Sequence, residues 1–164
     1  MSGGAGGAVG RVHSLNVSGG GVPKRPVPEA FVTANGLRGD VQRDLRYHDG
    51  PERAVSLFSL DVIERLRAEG HPVEPGSTGE NVTVAGFDWS LAAPGARLEF
   101  EGGVVLEVAS YCTPCGKIRA SFAGGTIDRI HQDDHPGESR VYARVLAEGT
   151  VREGEAVRVV PTLQ

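Results

Sequence analysis

The chain contains two cysteines, and both lie in one tetrapeptide, Cys112-Thr113-Pro114-Cys115. A thiolate is a nucleophile, a soft metal ligand and a redox group, so the chemistry is sought there first. The apolar run VVLEVAS precedes the pair and GKIRASF follows it. That order predicts a strand, a loop and a short helix over residues 115–122. A thiol at a helix start faces unpaired N–H groups that favour the thiolate, and Lys117 and Arg119 add positive charge. By this criterion Cys115 is better placed than Cys112. The pair also admits a plain reading, two small buried hydrophobes. Three chemical readings stand beside it. Cys112-x₂-Cys115, fifteen residues, then His131-x₃-His135 has the spacing of a two-Cys, two-His structural zinc site. Gln132, Asp133 and Asp134 lie between those histidines, where a nucleic-acid-reading finger would carry Lys and Arg. Strand, Cys-x-x-Cys, helix is also the order of a dithiol exchanger, but the βαβ units such a fold needs are missing from the pattern. In the third reading one thiolate binds a metal cofactor or carries sulfur.

The elements that must position these residues are short. The 164 residues include 24 glycines and 10 prolines. Both residue types weaken helix interiors, so the content predicts many turns joining short strands. Alternating or apolar runs predict strands at residues 9–17, 27–34, 53–58, 81–85, 97–101, 104–109, 141–146 and 155–160. Gly102-Gly103 marks a hairpin, and residues 150–154 read as a turn. Ser59 is an N-cap for a helix carried by Leu60, Ile63 and Leu66 and ended by Gly70. The expected architecture is mainly β: an antiparallel barrel with one or two short helices packed outside. Residues 1–8 are Gly/Ala/Ser-rich and are expected to form a disordered tail before a single domain at 9–164. The charge balance, 17 Lys and Arg against 21 Asp and Glu, gives −4 and argues against a nucleic-acid or anionic-membrane partner. No apolar run approaches the ~20 residues of a membrane span. The first residues lack the basic-then-apolar order of a secretory signal, so a cytoplasmic location is expected.

Further sequence signals follow one another along the chain. Gly39-Asp40 opens a stretch through Gln42, Asp44, His48, Asp49-Gly50 and Arg53-Ala54-Val55-Ser56-Leu57. Gly76-x-x-Gly79-Glu80-Asn81-Val82 follows, then Pro114-Cys115-x-Lys117-Ile118. Tyr142-Ala143-Arg144-Val145-Leu146, Gly149 and Gly154-Glu155 close the set. In this order the motifs resemble the MOSC domain, the β-barrel also found at the C-terminus of molybdenum-cofactor sulfurases. The resemblance spans residues 9–160 and is nearest to the stand-alone bacterial members. It implies a mostly β barrel whose characteristic cysteine ligates molybdenum in a pterin cofactor or carries sulfur. Related enzymes reduce N-hydroxylated substrates, hydroxylamino base analogues and amidoximes among them, with electrons from a partner reductase. The family cysteine falls on Cys115, and Cys112 lies outside the motif.

The residue types suit that implied molybdenum cofactor (molybdopterin). A soft thiolate, Cys115, suits the metal. Backbone N–H groups of Gly-rich loops together with Lys or Arg suit a phosphate, and the chain offers Gly19-Gly20-Gly21, Lys24, Arg53, the Thr78-Gly79 turn and Lys117. Glu80 and Asn81 carry the acceptors and donors to read a pterin edge. His48, amid Arg46, Tyr47 and Asp49, is the candidate proton donor. Each has a plain counterpart. Lys24 and Arg53 also read as solvated charges, Gly79 as a positive-φ turn, Glu80-Asn81 as loop supports and His48 as a surface histidine. Trp89 reads as a packing anchor rather than a stacking platform. The leading expectation is a cofactor-dependent reductase of N-hydroxylated small molecules, served by a separate reductase. The alternatives are a sulfur carrier holding a persulfide on Cys115, loaded by a sulfur donor, and a structural zinc domain on Cys112, Cys115, His131 and His135.

Overall fold

A computed structural model describes residues 8–41 and 50–162. Eleven strands appear among them: β1 (Ala8–Val17), β2 (Arg25–Val27), β3 (Glu29–Thr33), β4 (Gly36–Leu37), β5 (Val55–Ser59), β6 (Val82–Ala85), β7 (Arg97–Phe100), β8 (Val105–Tyr111), β9 (Val141–Ala147), β10 (Gly149–Arg152) and β11 (Ala156–Val160). One α-helix, α1 (Leu60–Ala68), joins β5 to β6. The large sheet runs β11-β7-β8-β9-β5-β6-β1-β2, and β1 also pairs with β11. That extra pairing closes a seven-strand barrel with β2 appended outside it. Closure removes the open edges that invite aggregation.

The expected barrel is present, with three changes of detail. It is mixed, because β5 and β6 run parallel, Leu57 opposite Val82 and Ser59 opposite Val84. Parallel neighbours need a crossover, and α1 supplies it, so one βαβ unit sits in an otherwise antiparallel barrel. The expected strand at 27–34 is broken at Pro28, whose missing N–H cannot continue a ladder. Its halves, β2 and β3, belong to different sheets. The expected turn at 150–154 is largely β10, which pairs with β3 in a separate sheet of order β10-β3-β4. Ala8, assigned to the tail by composition, is the first residue of β1; residues 1–7 lie outside the described residues.

Local signals behave as the physics requires. Ser59 Oγ accepts the Val62 amide at 3.2 Å, satisfying one of the orphan donors of α1. Val62, Ile63 and Leu66 are buried over β5 and β6, and Gly70, at φ +100°, ends the helix. The β7–β8 hairpin turns through Glu101, Gly102 and Gly103, with Gly103 N–H donating to the Phe100 carbonyl at 2.9 Å. Buried Val, Leu, Ile and Phe from the barrel strands, with Leu15, Leu57, Phe58, Leu98 and Leu106 fully enclosed, form the core. Residues 112–140 leave the barrel as loops and 3₁₀ turns. Arg129 holds this excursion against α1, donating to both Glu69 oxygens at 2.8 Å and to Glu138 at 2.7 Å. Arg65 of α1 also pairs with Glu138.

Candidate functional site

Neighbouring strands place the site residues in a row. Tyr142 on β9 lies opposite Ser110 of β8 and Ser56 of β5. The Asn81 amide, just before β6, donates to the Ser56 carbonyl at 2.8 Å, and the Asn81 carbonyl accepts the Asn16 amide at 2.7 Å. Loops from this side of the barrel surround a cleft enclosing about 690 Å³, mouth included. Gly21, Val22 and Lys24 come from the β1–β2 loop and Val41 from beyond β4. Arg53 precedes β5; Thr78, Gly79 and Asn81 precede β6; Cys112, Cys115, Lys117 and Ile118 follow β8; Arg140 and Tyr142 complete the lining.

Lys24, Arg53, Thr78, Gly79, Asn81, Cys115 and Lys117 are therefore brought together, although they come from four separate stretches of sequence. Glu80 is not among them, which corrects the expectation that its carboxylate reads a ligand edge. It is fully buried and turned away from the cleft lining. Its Oε2 accepts the Gly76 amide at 2.8 Å and the Thr83 hydroxyl at 2.9 Å, and its Oε1 accepts the Thr78 hydroxyl at 2.7 Å. A buried carboxylate needs such donors, and here they shape the 76–81 loop. Asn81 is also engaged with protein: its Oδ1 accepts the Ser56 amide at 3.1 Å and its Nδ2 donates to Asp40 at 2.9 Å. Lys24 reaches the same Asp40 oxygen at 2.5 Å. Gly76 and Gly79 have φ of +85° and +84°. A Cβ on Gly76 would meet the Lys24 carbonyl at 2.4 Å, so the two loops lace only with glycine there. His48 lies outside the described residues.

The two thiols differ sharply in exposure. Cys115 is exposed at the cleft and precedes a 3₁₀ turn over Gly116–Ser121, not the α-helix expected there. Cys112 is 2% exposed. Burial pushes its thiol up to about 11, opposed by the Arg140 charge and a hydrogen bond from the Tyr142 hydroxyl. Burial likewise raises the Tyr142 phenol. The Arg53 guanidinium lies 5.5 Å from the centroid of the Tyr142 ring, a cation–π distance.

Sequence reasoning missed Arg140. Its side chain is buried among the floor residues, and its Nη1 donates to the Thr78 carbonyl at 2.7 Å. Its Nε has no hydrogen-bond partner. A buried guanidinium nitrogen without an acceptor is costly unless a ligand supplies one. The only sequence signal was its place two residues before Tyr142 of the motif. Among the described residues the cleft lining carries Lys24, Arg53, Lys117 and Arg140 and no carboxylate.

The zinc arrangement is not formed. Among the described residues no three His, Cys, Asp or Glu side chains cluster so as to hold a metal ion. His131 Nδ1 accepts the Asp133 amide at 3.1 Å, and His135 faces Glu138 on the excursion. Trp89 is a packing anchor, 5% exposed, with its Nε1 donating to the Ser139 carbonyl at 2.6 Å.

Fold and site together define a β-barrel protein that presents an exposed thiol inside a cationic cleft. The chain belongs to the MOSC domain family, whose pattern it matches over residues 44–158. That family is linked to molybdenum-cofactor binding. The uncharacterized protein YflK of Bacillus subtilis (strain 168) is 30% identical over 136 residues, which are 82% of this chain and 60% of YflK. The chain thus spans about three-fifths of the length of that relative. In fold it is similar to the YUAD protein of Bacillus subtilis, with a TM-score of 0.74, 17% identity and coverage of 95% of this chain and 98% of that one. YiiM of Geobacillus stearothermophilus follows at 0.70 and 21%, covering 93% and 75%. YiiM of Escherichia coli gives 0.67 and 23%, covering 94% and 71%. No helix among the described residues is long and apolar enough to cross a membrane.

Proposed function

We propose that the cleft binds a molybdenum cofactor and that the protein is an oxidoreductase acting on N-hydroxylated small molecules, with electrons from a separate reductase. The observation that carries this reading is the pairing of an exposed thiol, Cys115, with a buried arginine whose Nε lacks an acceptor, both on one cleft. The donor set fits the cofactor at both ends. Cys115 offers the soft sulfur that molybdenum accepts. The cationic side chains of Arg140, Arg53 and Lys117, all lining the cleft, suit a phosphate dianion. When bound, the cofactor supplies two-electron oxygen-transfer chemistry at the metal.

The chain's own residues do the rest. Arg140 Nε offers a buried donor, fixed by the Nη1 bond to the Thr78 carbonyl. Asp40 pins Lys24 and Asn81, which holds the rim of the cleft in one geometry before a ligand arrives. Val22, Val41 and Ile118 give the wall an apolar face that suits a planar organic substrate beside the thiol.

Anaerobic purification from a host rich in molybdenum cofactor tests this, with the parent beside Cys115→Ser and Arg140→Gln. Molybdenum is expected in the parent, absent in Cys115→Ser and reduced in Arg140→Gln. A parent without molybdenum refutes the reading. If Cys115 of that metal-free parent gains one sulfur atom in mass after treatment with a cysteine desulfurase, the sulfur-carrier role takes its place. A loaded parent is then assayed with amidoximes and hydroxylamines in the presence of a reductase.

A further inference from the structure

The cleft holds a second sulfur that the proposed chemistry does not use. Cys112 and Cys115 line the same cleft, yet one is buried and the other exposed. The backbone anchors Cys112: its amide donates to the Arg140 carbonyl at 2.9 Å, and its carbonyl accepts the Ser139 hydroxyl at 3.3 Å. Residues 112–115 form neither helix nor strand. Even fully extended, three residues span only ~10 Å, and a disulfide needs Cα atoms ~4.4–6.8 Å apart. A bend in this segment, with Cys115 moving and Cys112 fixed, meets that requirement.

We propose that Cys112 and Cys115 are a redox couple, in which a hydroperoxide oxidises Cys115 and Cys112 then closes a disulfide that leaves no free thiol at Cys115. Exposure sets the order, because solvent-borne peroxide meets Cys115 first. Cys112, 2% exposed, is shielded from the peroxide while its neighbour reacts. In the first step Cys115 sulfur takes one oxygen from the hydroperoxide, leaving a sulfenic acid and an alcohol. In the second, Cys112 sulfur attacks Cys115 sulfur. The S–S bond forms, the S–O bond breaks, and the hydroxide leaves with the Cys112 proton as water. Two thiols lose two electrons and the peroxide gains them. A dithiol reductant reverses the change. The couple thereby ties metal binding at Cys115 to the oxidant level; this last consequence rests on the cofactor reading above.

The test uses the full chain, metal-free, treated with graded hydrogen peroxide and followed by intact mass and thiol labelling. Expected is a loss of two hydrogen masses with both thiols blocked, reversed by dithiothreitol. Cys112→Ala is expected instead to gain oxygen on Cys115 and never to lose the two hydrogens. A wild type that accumulates oxygen on Cys115 while Cys112 still labels would overturn the couple. A second arm measures molybdenum uptake by reduced, oxidised and re-reduced protein. Uptake is expected to fall at least ~10-fold on oxidation, as for loss of a metal-site group, and to return on reduction. Equal uptake by both forms overturns the blocking role. No uptake even by reduced protein refutes the cofactor reading, while the mass result still decides the disulfide.

Discussion

Glu80 separates the two accounts of the 76–81 loop most cleanly. Its carboxylate is fully buried and accepts three hydrogen bonds, from Gly76 N–H and the Thr78 and Thr83 hydroxyls. Glu80→Ala leaves three buried donors without an acceptor and opens a hole. Each orphaned donor costs about 1–3 kcal/mol. Hydroxyls can rotate to other partners and water can enter, so the low end applies, and the expected loss is about 4 kcal/mol. That is a large share of the ~5–15 kcal/mol typical of a domain. Glu80→Gln keeps the shape and one acceptor oxygen and should lose about 1–2 kcal/mol. Urea unfolding followed by circular dichroism gives both values by linear extrapolation. The reasoning fails if Glu80→Ala unfolds at the wild-type midpoint yet loses molybdenum. That outcome would mean the carboxylate faces a ligand, not the loop.

The pH dependence of stability carries a second prediction, on Cys112. Its thiol rises from 9.0 to about 11 in the fold, so the native state holds a proton that the unfolded chain releases. This stabilisation is complete below about pH 9 and disappears as pH climbs to about 11, a loss of about 3 kcal/mol. Urea midpoints measured from pH 8 to 11 should fall more steeply in wild type than in Cys112→Ala. Gly76→Ala forces a Cβ to 2.4 Å from the Lys24 carbonyl at φ +85°, and should destabilise by more than about 2 kcal/mol with its calorimetric Tm lowered. Ser59→Ala removes the cap of α1 and should cost about 1 kcal/mol in urea while leaving molybdenum content unchanged.

Much of the fold was readable because its signals are local. Ser59 and Gly70 bound the helix, Gly102-Gly103 turns the hairpin, and alternation marks β7, β8 and β11, all within a few residues of themselves. The ordered motifs, with Pro114-Cys115-x-Lys117 among them, also pointed to the family and to the exposed thiol. One misreading arose where the pairing partner lies far away. The strand at residues 149–152 depends on pairing with β3, far away in sequence, whereas the split at Pro28 had a local cause in the proline's missing N–H.

The sequence by itself determined the barrel class, the helix, the family and the candidate thiol, because short-range backbone preferences and residue chemistry suffice for these. Only the tertiary structure decided the direction each polar side chain faces. Glu80 and Asn81 are adjacent in sequence, yet the first supports the loop from below and the second touches the cleft. Arg140 has no local signature, and becomes part of the site only because β9 sets it beneath Thr78, 62 residues away. Burial likewise separates Cys112 from Cys115. Solvation is a property of the whole packed molecule, so two identical thiols three residues apart acquire different chemistry only once the barrel has closed around one of them.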